Sequence, residues 1–349
     1  MNASRPTVSV VIPCYRYGRF LPDCVRSVLA QEGVDVRVLI IDDASPDDSG
    51  EVAMGLAAAD DRVQVRVHRE NRGHLATYNE GLLEWAEGRY SVLLSADDLL
   101  TAGAPARATT VLDANPGVGF VYGHVIRWMD GEPKPAPRIN PTGVKMWSGL
   151  DWFRRVCRLS HSVISSPEVV VRTSVQQKIG GYLPELPHTG DTEMWMRFAL
   201  HSDVAFIRGV DQAYYRTHDR NMTVARVPIV DLVQRKAAYD AIFDSLSSRI
   251  PDANRLRRQV NRNLAKEALW TACRAYDRRP IDTSAVVDLA DFARSTYPET
   301  DRLPEHWGLR WRRRVGPQVC VTLRPFMVSA ARRRVRTTLW WRRWEQEGV

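Results

Sequence analysis

The stretch Tyr90-Ser91-Val92-Leu93-Leu94-Ser95-Ala96-Asp97-Asp98-Leu99-Leu100 decides how the rest of the chain is read. Ser91 to Leu94 is a short, largely apolar run of the kind that fills a strand covered on both faces. It stops at two adjacent carboxylates, Asp97 and Asp98. In an open α/β sheet, ligands sit in the crevice outside the carboxyl ends of the strands, so acids emerging there face a binding site. Two crowded carboxylates repel unless a cation or a proton lies between them, and hard oxygen ligands suit Mg²⁺ or Mn²⁺. A solvated Asp-Asp turn is the plainer alternative, because Asp favours turns for local reasons.

Upstream, the same pattern recurs. Val8 to Ile12 is a β-branched run closed by Pro13, and the segment after Leu21-Pro22 places Val25, Val28 and Leu29 on one helical face. Val36 to Ile41 ends at a second acidic pair, Asp42-Asp43, with a helix expected from Ser49. Val63 to Val67 alternates as a strand, and a helix carrying Leu75, Tyr78, Leu82 and Trp85 returns the chain to Tyr90. Strands alternating with helices of this length predict βαβ units and a mostly parallel sheet. Downstream, Pro105 opens a helix, Val118 to Val125 and Pro167 to Arg172 read as strands, and Asp191 to Leu200 as a helix. The proline-rich residues 130 to 143 form a surface excursion. Helical periodicity takes over from about Val227, which divides the chain into an α/β domain at 1–225 and a mostly helical extension at 226–349.

The chain has 349 residues, with 44% hydrophobic and 26% charged, as in an ordinary folded protein. Its net charge of +8 is local. From Arg310 onward there are eleven Arg against Glu345 and Glu347, or +9, which leaves −1 for everything before. Five scattered cysteines lack the spacing of a zinc site or disulfide framework and point to a reducing compartment. Without a signal-like start or a run near the roughly 20 apolar residues that span a bilayer, the expectation is a cytoplasmic protein. Val328, Ala331, Val335 and Leu339 make a stripe at helical spacing beside Trp340, Trp341, Trp344 and Arg332, Arg333, Arg334 and Arg336. Such a helix suits an anionic membrane surface, peripherally on its inner face. Packing of the helix on the first domain and a nucleic-acid patch stay open at this point, although no nucleic-acid partner is expected.

Five segments carry a resemblance: VSVVIPCYRYGRFLPDCVRSVLAQ, VLIIDDASPDD, ENRGHLATYNEGLLEWAEGRYSVLLSADD, GDTEMWMRFA and YRTHDRNMT. In this order, over about residues 7 to 222, they resemble the family 2 glycosyltransferases of GT-A fold. The resemblance implies a Rossmann-like sheet and inverting transfer of a sugar from a nucleotide-diphosphate sugar to an acceptor hydroxyl. It implies Mg²⁺ or Mn²⁺ as cofactor and a glycan, glycolipid or small-molecule acceptor. Pro13 and Tyr15 would lie along the nucleotide base and Asp43 would bond its edge; core packing is the alternative for Tyr15. Gly73 would permit close backbone approach beneath the nucleotide, with Asn79 beside it or acting as a structural cap. Asp97 would face the metal with Asp98 next to it and His218 over the diphosphate or on the metal. Ser95 stands where that family often has a further acid, and would reach a ribose or a metal-bound water. Asp191 would be the catalytic base with Glu193 as the second candidate, although Asp is also a good helix N-cap. Cell-envelope glycan or glycolipid assembly is the expected setting, with glycosylation of a small secondary metabolite as the alternative. From another class, a metal-dependent nucleotidyltransferase would need a Gly-rich basic loop, which Pro13 to Gly18 does not resemble.

Overall fold

The β-branched runs become strands in the computed structural model, which describes residues 5–219, 221, 227–278, 280–323, 334, 338, 340, 341 and 343–349. The tail residues Val328, Ala331, Val335, Leu339, Arg332, Arg333 and Arg336 lie outside the described residues. The first elements are β1 (Thr7–Cys14), α1 (Leu21–Leu29), β2 (Asp35–Asp42), α2 (Ser49–Ala59), β3 (Val63–Val67), α3 (His74–Asn79) and β4 (Tyr90–Leu93). Then come β5 (Leu99–Leu100), α4 (Ala104–Ala114), β6 (Val118–Met129), β7 (Gly143–Trp147), α5 (Gly149–Leu159), β8 (Val170–Arg172), α6 (Thr173–Ile179), α7 (Gly190–Ala199) and β9 (Asp203–Thr217).

The strands form one sheet in the order β3-β2-β1-β4-β8-β6-β9-β5, with β7 on β9. Among the described residues β1, β2, β3, β4, β6 and β9 run one way and β5, β7 and β8 oppose them, so the sheet is mixed but mostly parallel. Register sets the site. Cys14 lies opposite Asp42, Val11 opposite Leu93, and Met129 opposite Thr217. The carboxyl ends of β1, β2, β4, β6 and β9 therefore share one edge.

Alternation along β1 puts Val8, Val10 and Ile12 into a core with Val38, Ile40 and Val92, closed by Cys24, Val25 and Val28 of α1. Each such side chain removed from water contributes about 1.5–3 kcal/mol. α1 starts where expected because Pro22 suits the first helical turn. Two expectations change. The helix from Leu75 to Trp85 is α3 followed by a π-helical turn, Glu80–Trp85. A Cβ on Gly81 would sit 2.2 Å from Val11 Cγ1, so its absence lets that wider turn lie against β1. The strand expected from Pro167 starts only at Val170, because Ser165 and Glu168 close a capping box around a 3₁₀ turn, Ser166–Glu168.

The chain separates into two units. The first comprises Met1–Phe153, Val163–Asn221 and Glu345–Gly348, and the second Arg154–Ser162, Met222–Trp344 and Val349. In the first unit the Tyr122 hydroxyl donates to the Gly348 carbonyl at 2.6 Å and Trp147 Nε1 to the Glu347 carbonyl at 3.0 Å. Gly348 has φ +77°, and a Cβ there would meet Phe206 Cγ at 2.5 Å. The second unit contains α8 (Pro228–Leu246), α9 (Ala253–Tyr276), α10 (Thr283–Thr296), α11 (Pro304–Val315) and α12 (Pro317–Leu323). Leu256, Val260, Leu264 and Ala268 bury one face of α9, and the buried Arg312 pairs with Asp277 at 2.9 Å. Among the described residues no helix is long and apolar enough to cross a membrane.

Candidate active site

The loops that leave β1 and β2 are tied together at the carboxyl edge. Arg16 N–H donates to Ser45 Oγ at 2.9 Å and Gly18 N–H to Ser49 Oγ at 2.8 Å. Arg16 and Ala44 hold φ of 62° and 56°, a left-handed conformation that non-glycine residues keep only where the surroundings impose it. Pro13 lies opposite Ile41, one residue before β1 ends at Cys14, and Tyr15 is 44% exposed. Asp43 is buried and heavily engaged. Its Oδ1 accepts from Arg72 N–H at 2.8 Å and its Oδ2 from Gly73 N–H at 2.9 Å. His68 Nδ1 lies 2.7 Å from Asp43 Oδ1, and Nε2 lies 3.0 Å from Glu80 Oε2. Both ring nitrogens face carboxylate oxygens. Burial raises the Glu80 carboxyl, but Arg66 and His68 hold it below its ordinary range. Gly73 has φ +83° and open space where a Cβ would be. Asn79 turns away from this loop: its Oδ1 accepts from Tyr182 N–H at 2.6 Å and its Nδ2 donates to the Tyr182 carbonyl at 2.9 Å.

Beyond β4, the acidic pair is split. Asp97 Oδ2 lies 3.1 Å from His218 Nε2 and accepts from Asn221 Nδ2 at 3.2 Å. Asp98 Oδ1 accepts from Arg216 N–H at 2.9 Å. Burial, and then the charge of Asp97, push the Asp98 carboxyl well above the usual range. Arg216 organises the corner: its Nε donates to the Asp97 carbonyl at 2.9 Å, its Nη1 pairs with Asp130 at 2.8 Å, and its guanidinium stacks between Phe20 and Trp128. The Ser95 carbonyl accepts from Asp98 N–H at 3.0 Å, which tightens the turn. Among the described residues no group of three His, Cys, Asp or Glu side chains is arranged to hold a metal. Asp97 Oδ2 and His218 Nε2 are the pair a divalent cation can reach together. Oxygen and imidazole donors suit Mn²⁺ or Mg²⁺ whose remaining positions are filled by ligand oxygens and water.

α7 supplies the third carboxylate. Asp191 stands in its first turn and accepts from Ser166 Oγ at 2.5 Å. Glu193 points elsewhere. Its two oxygens take Arg197 Nε at 2.8 Å and Nη2 at 2.6 Å, and burial raises its carboxyl against that pairing. The spacing of four between Glu193 and Arg197 is a signal the sequence does contain. His68, Arg216, Asn221, Ser166 and Tyr182 are not singled out by sequence reasoning, because their partnerships arise only in the tertiary fold.

A mostly parallel α/β sheet with acids at its carboxyl edge is the arrangement of the GT-A fold. Residues 9–162 match the family described as Glycosyl transferase family 2. That match and the names of the relatives support a transferase enzyme. The chain is 29% identical over 127 residues to GalNAc(5)-diNAcBac-PP-undecaprenol beta-1,3-glucosyltransferase of Campylobacter jejuni, covering 36% of this chain and 40% of that one. The S. aureus TarS 1–349 structure in complex with UDP-GlcNAc superposes with a TM-score of 0.64 at 15% identity, over 85% of this chain and 83% of that one. Mannosyltransferase PcManGT of Pyrobaculum calidifontis, in complex with GDP-Man and Mn²⁺, gives 0.54 at 15% identity over 94% and 87%. At such identity these likenesses establish the fold. The first three curated relatives are matched over 66%, 31% and 34% of their own length.

Proposed function

We propose that this protein transfers a glycosyl group, with inversion, from a nucleotide-diphosphate sugar to an acceptor hydroxyl in cell-envelope glycan or glycolipid assembly. One observation carries the reading: Asp43 and the Asp97–His218 pair lie beyond the carboxyl ends of neighbouring strands, and Asp191, Asp97 and Asp98 all act on the buried Tyr78. Tyr15, Pro13 and Asp43 take the nucleotide base, and Gly73 admits the backbone beneath it. Asn79 braces that loop from behind through Tyr182, and Ser95 fixes the acidic turn. Asp97 and His218, with Asp98 behind them, would hold Mg²⁺ or Mn²⁺, which supplies positive charge at the leaving diphosphate. Asp191 takes the proton of the acceptor hydroxyl as its oxygen bonds the anomeric carbon and the carbon–diphosphate bond breaks, the electron pair leaving with the diphosphate. Glu193, held by Arg197, steadies α7. Catalysis is assigned to residues 1–225 and an accessory role to 226–349. The lipid-linked acceptor in the name of the Campylobacter relative supports the envelope setting.

A thermal-shift panel of UDP-GlcNAc, GDP-mannose and the bare diphosphates, with and without Mn²⁺, identifies the donor, since a ligand that binds the native state stabilises it. With that donor, Asp191→Asn should lower transfer or donor hydrolysis by about 10²-fold or more while binding survives. Wild-type turnover in that variant overturns the assignment.

α11 supports attachment to an anionic membrane. Trp307 and Trp311 are exposed beside Arg310, Arg313 and Arg314, while Leu309 and Arg312 are buried. The Arg310 guanidinium lies 5.2 Å from the centre of the Trp307 ring. Trp with Arg on one exposed face suits the headgroup region of anionic lipid. The protein should co-sediment with anionic vesicles at about 0.1 M salt and be released near 1 M, where screening shortens to about 3 Å. Equal behaviour with neutral and anionic vesicles sinks this attachment.

A further inference from the structure

The 3₁₀ turn before β8 has no part in the reading above, yet it touches the proposed base. Its capping box, in which Glu168 Oε1 accepts from Ser165 N–H at 3.0 Å, fixes the backbone on either side of Ser166. Ser166 Oγ then donates to Asp191 Oδ2 at 2.5 Å, across 25 residues of chain. From the loop before α7, the buried Tyr182 hydroxyl is hydrogen-bonded to the same carboxylate. We propose that Ser166 and Tyr182 are positioning residues that fix the plane of the Asp191 carboxylate and set the pH at which it accepts a proton. This rests on the reading of Asp191 as the base.

The titratable groups around Asp191 include Tyr78, Tyr182 and Glu168. Burial raises the phenols of Tyr78 on α3 and Tyr182, so both stay protonated over the working range. Burial likewise pushes the Glu168 carboxyl well above its usual range, which favours its neutral form beside Asp191. On α7 itself, the charge of Glu193 is matched by Arg197. A carboxylate surrounded by buried neutral groups drifts upward in pKa, which would leave part of it protonated near neutrality and idle as a base. Hydroxyls that donate to the ionised form oppose that drift. They also hold the carboxylate in one orientation, because each donor selects a lone pair.

The test is a ¹³C titration of aspartate-carboxyl-labelled full-length protein, with the Asp191 resonance assigned from its loss in Asp191→Asn. Ser166→Ala should raise the Asp191 titration by about one pH unit. The acid limb of donor hydrolysis, followed with UDP-GlcNAc and GDP-mannose in Mn²⁺, should move to higher pH by the same amount, with the donor KM unchanged. Ser166→Thr, which keeps the hydroxyl, should restore both, and Tyr182→Phe should shift both in the direction of Ser166→Ala. An Asp191 titration that stays put in Ser166→Ala overturns the proposal, and so does a fall in kcat with an unmoved pH profile, which marks Ser166 as merely structural. Failure of the underlying reading looks different: the titration moves in Ser166→Ala, but Asp191→Asn keeps its hydrolysis.

Discussion

Two strands of this sheet lead into the same doublet, Asp42-Asp43 at the end of β2 and Asp97-Asp98 beyond β4, and the fold treats them oppositely. Around the first, donors are abundant and near in sequence. Asp43 takes two backbone N–H groups and faces His68, all 25 to 30 residues away, and Asp42 Oδ2 accepts from Ser45 N–H at 3.1 Å. Around the second, the partners come from 118 to 124 residues away and are fewer for the charge present. Asp98 is driven toward its neutral form by burial and by Asp97. The same two residues are therefore tied by donors from nearby chain in one place, where Asp42 Oδ1 still lacks a partner, and by a histidine, an asparagine and a backbone N–H from distant chain in the other. The chemistry of a carboxylate is decided by what the fold brings to it.

The largest expected difference between the doublets is in metal-dependent binding. Asp97→Ala should lower Mn²⁺-dependent donor affinity by about 10²-fold or more, while its stability stays within about 1 kcal/mol because repulsion on Asp98 is relieved. Asp43→Ala should behave in reverse order, losing about 1–3 kcal/mol of stability because Arg72 N–H, Gly73 N–H and His68 lose their acceptor. Calorimetry with and without Mn²⁺, alongside urea unfolding, reads both quantities. Equal destabilisation of the two variants, with metal-dependent affinity intact in Asp97→Ala, would erase the contrast.

A smaller effect sharpens it through Glu168, whose charge, were it present, would bear on Asp98. Its carboxyl is raised by burial, so the folded state binds more protons than the unfolded state above the ordinary value of 4.5. Its contribution to stability is therefore full below that value and declines as pH rises toward its folded-state pKa. Glu168→Gln keeps the capping box and removes the titration. The variant should match wild type near pH 4 and lose less stability than wild type between pH 5 and 8. Parallel pH–stability curves for the two proteins would show that Glu168 is ionised in the fold.

The sheet was legible because strand periodicity is local: Val8 to Ile12, Val36 to Ile41 and Ser91 to Leu94 each declare a buried strand within four to six residues. The acids at their ends were legible for the same reason. What they touch was not. Arg216 reaches Asp97 across 119 residues, and Ser166 finds Asp191 only once β8 and α7 are packed. Asn79 looks like a nucleotide-side residue beside Gly73, and only tertiary structure turns it to the backbone of Tyr182. Pro167 hides the turn that presents Ser166, because an apolar run that follows a proline reads as strand until the Ser165–Glu168 box is seen.

The return of Glu345–Gly348 to the sheet changes what the second unit is in polymer terms. Asn221 and Glu345 both belong to the first unit, so the covalent chain between them is closed at both ends by that unit. A single backbone cut between these two residues would leave each half still covalently joined to the first unit. A methyl group at position 348 would meet Phe206 at 2.5 Å and disturb the closing end.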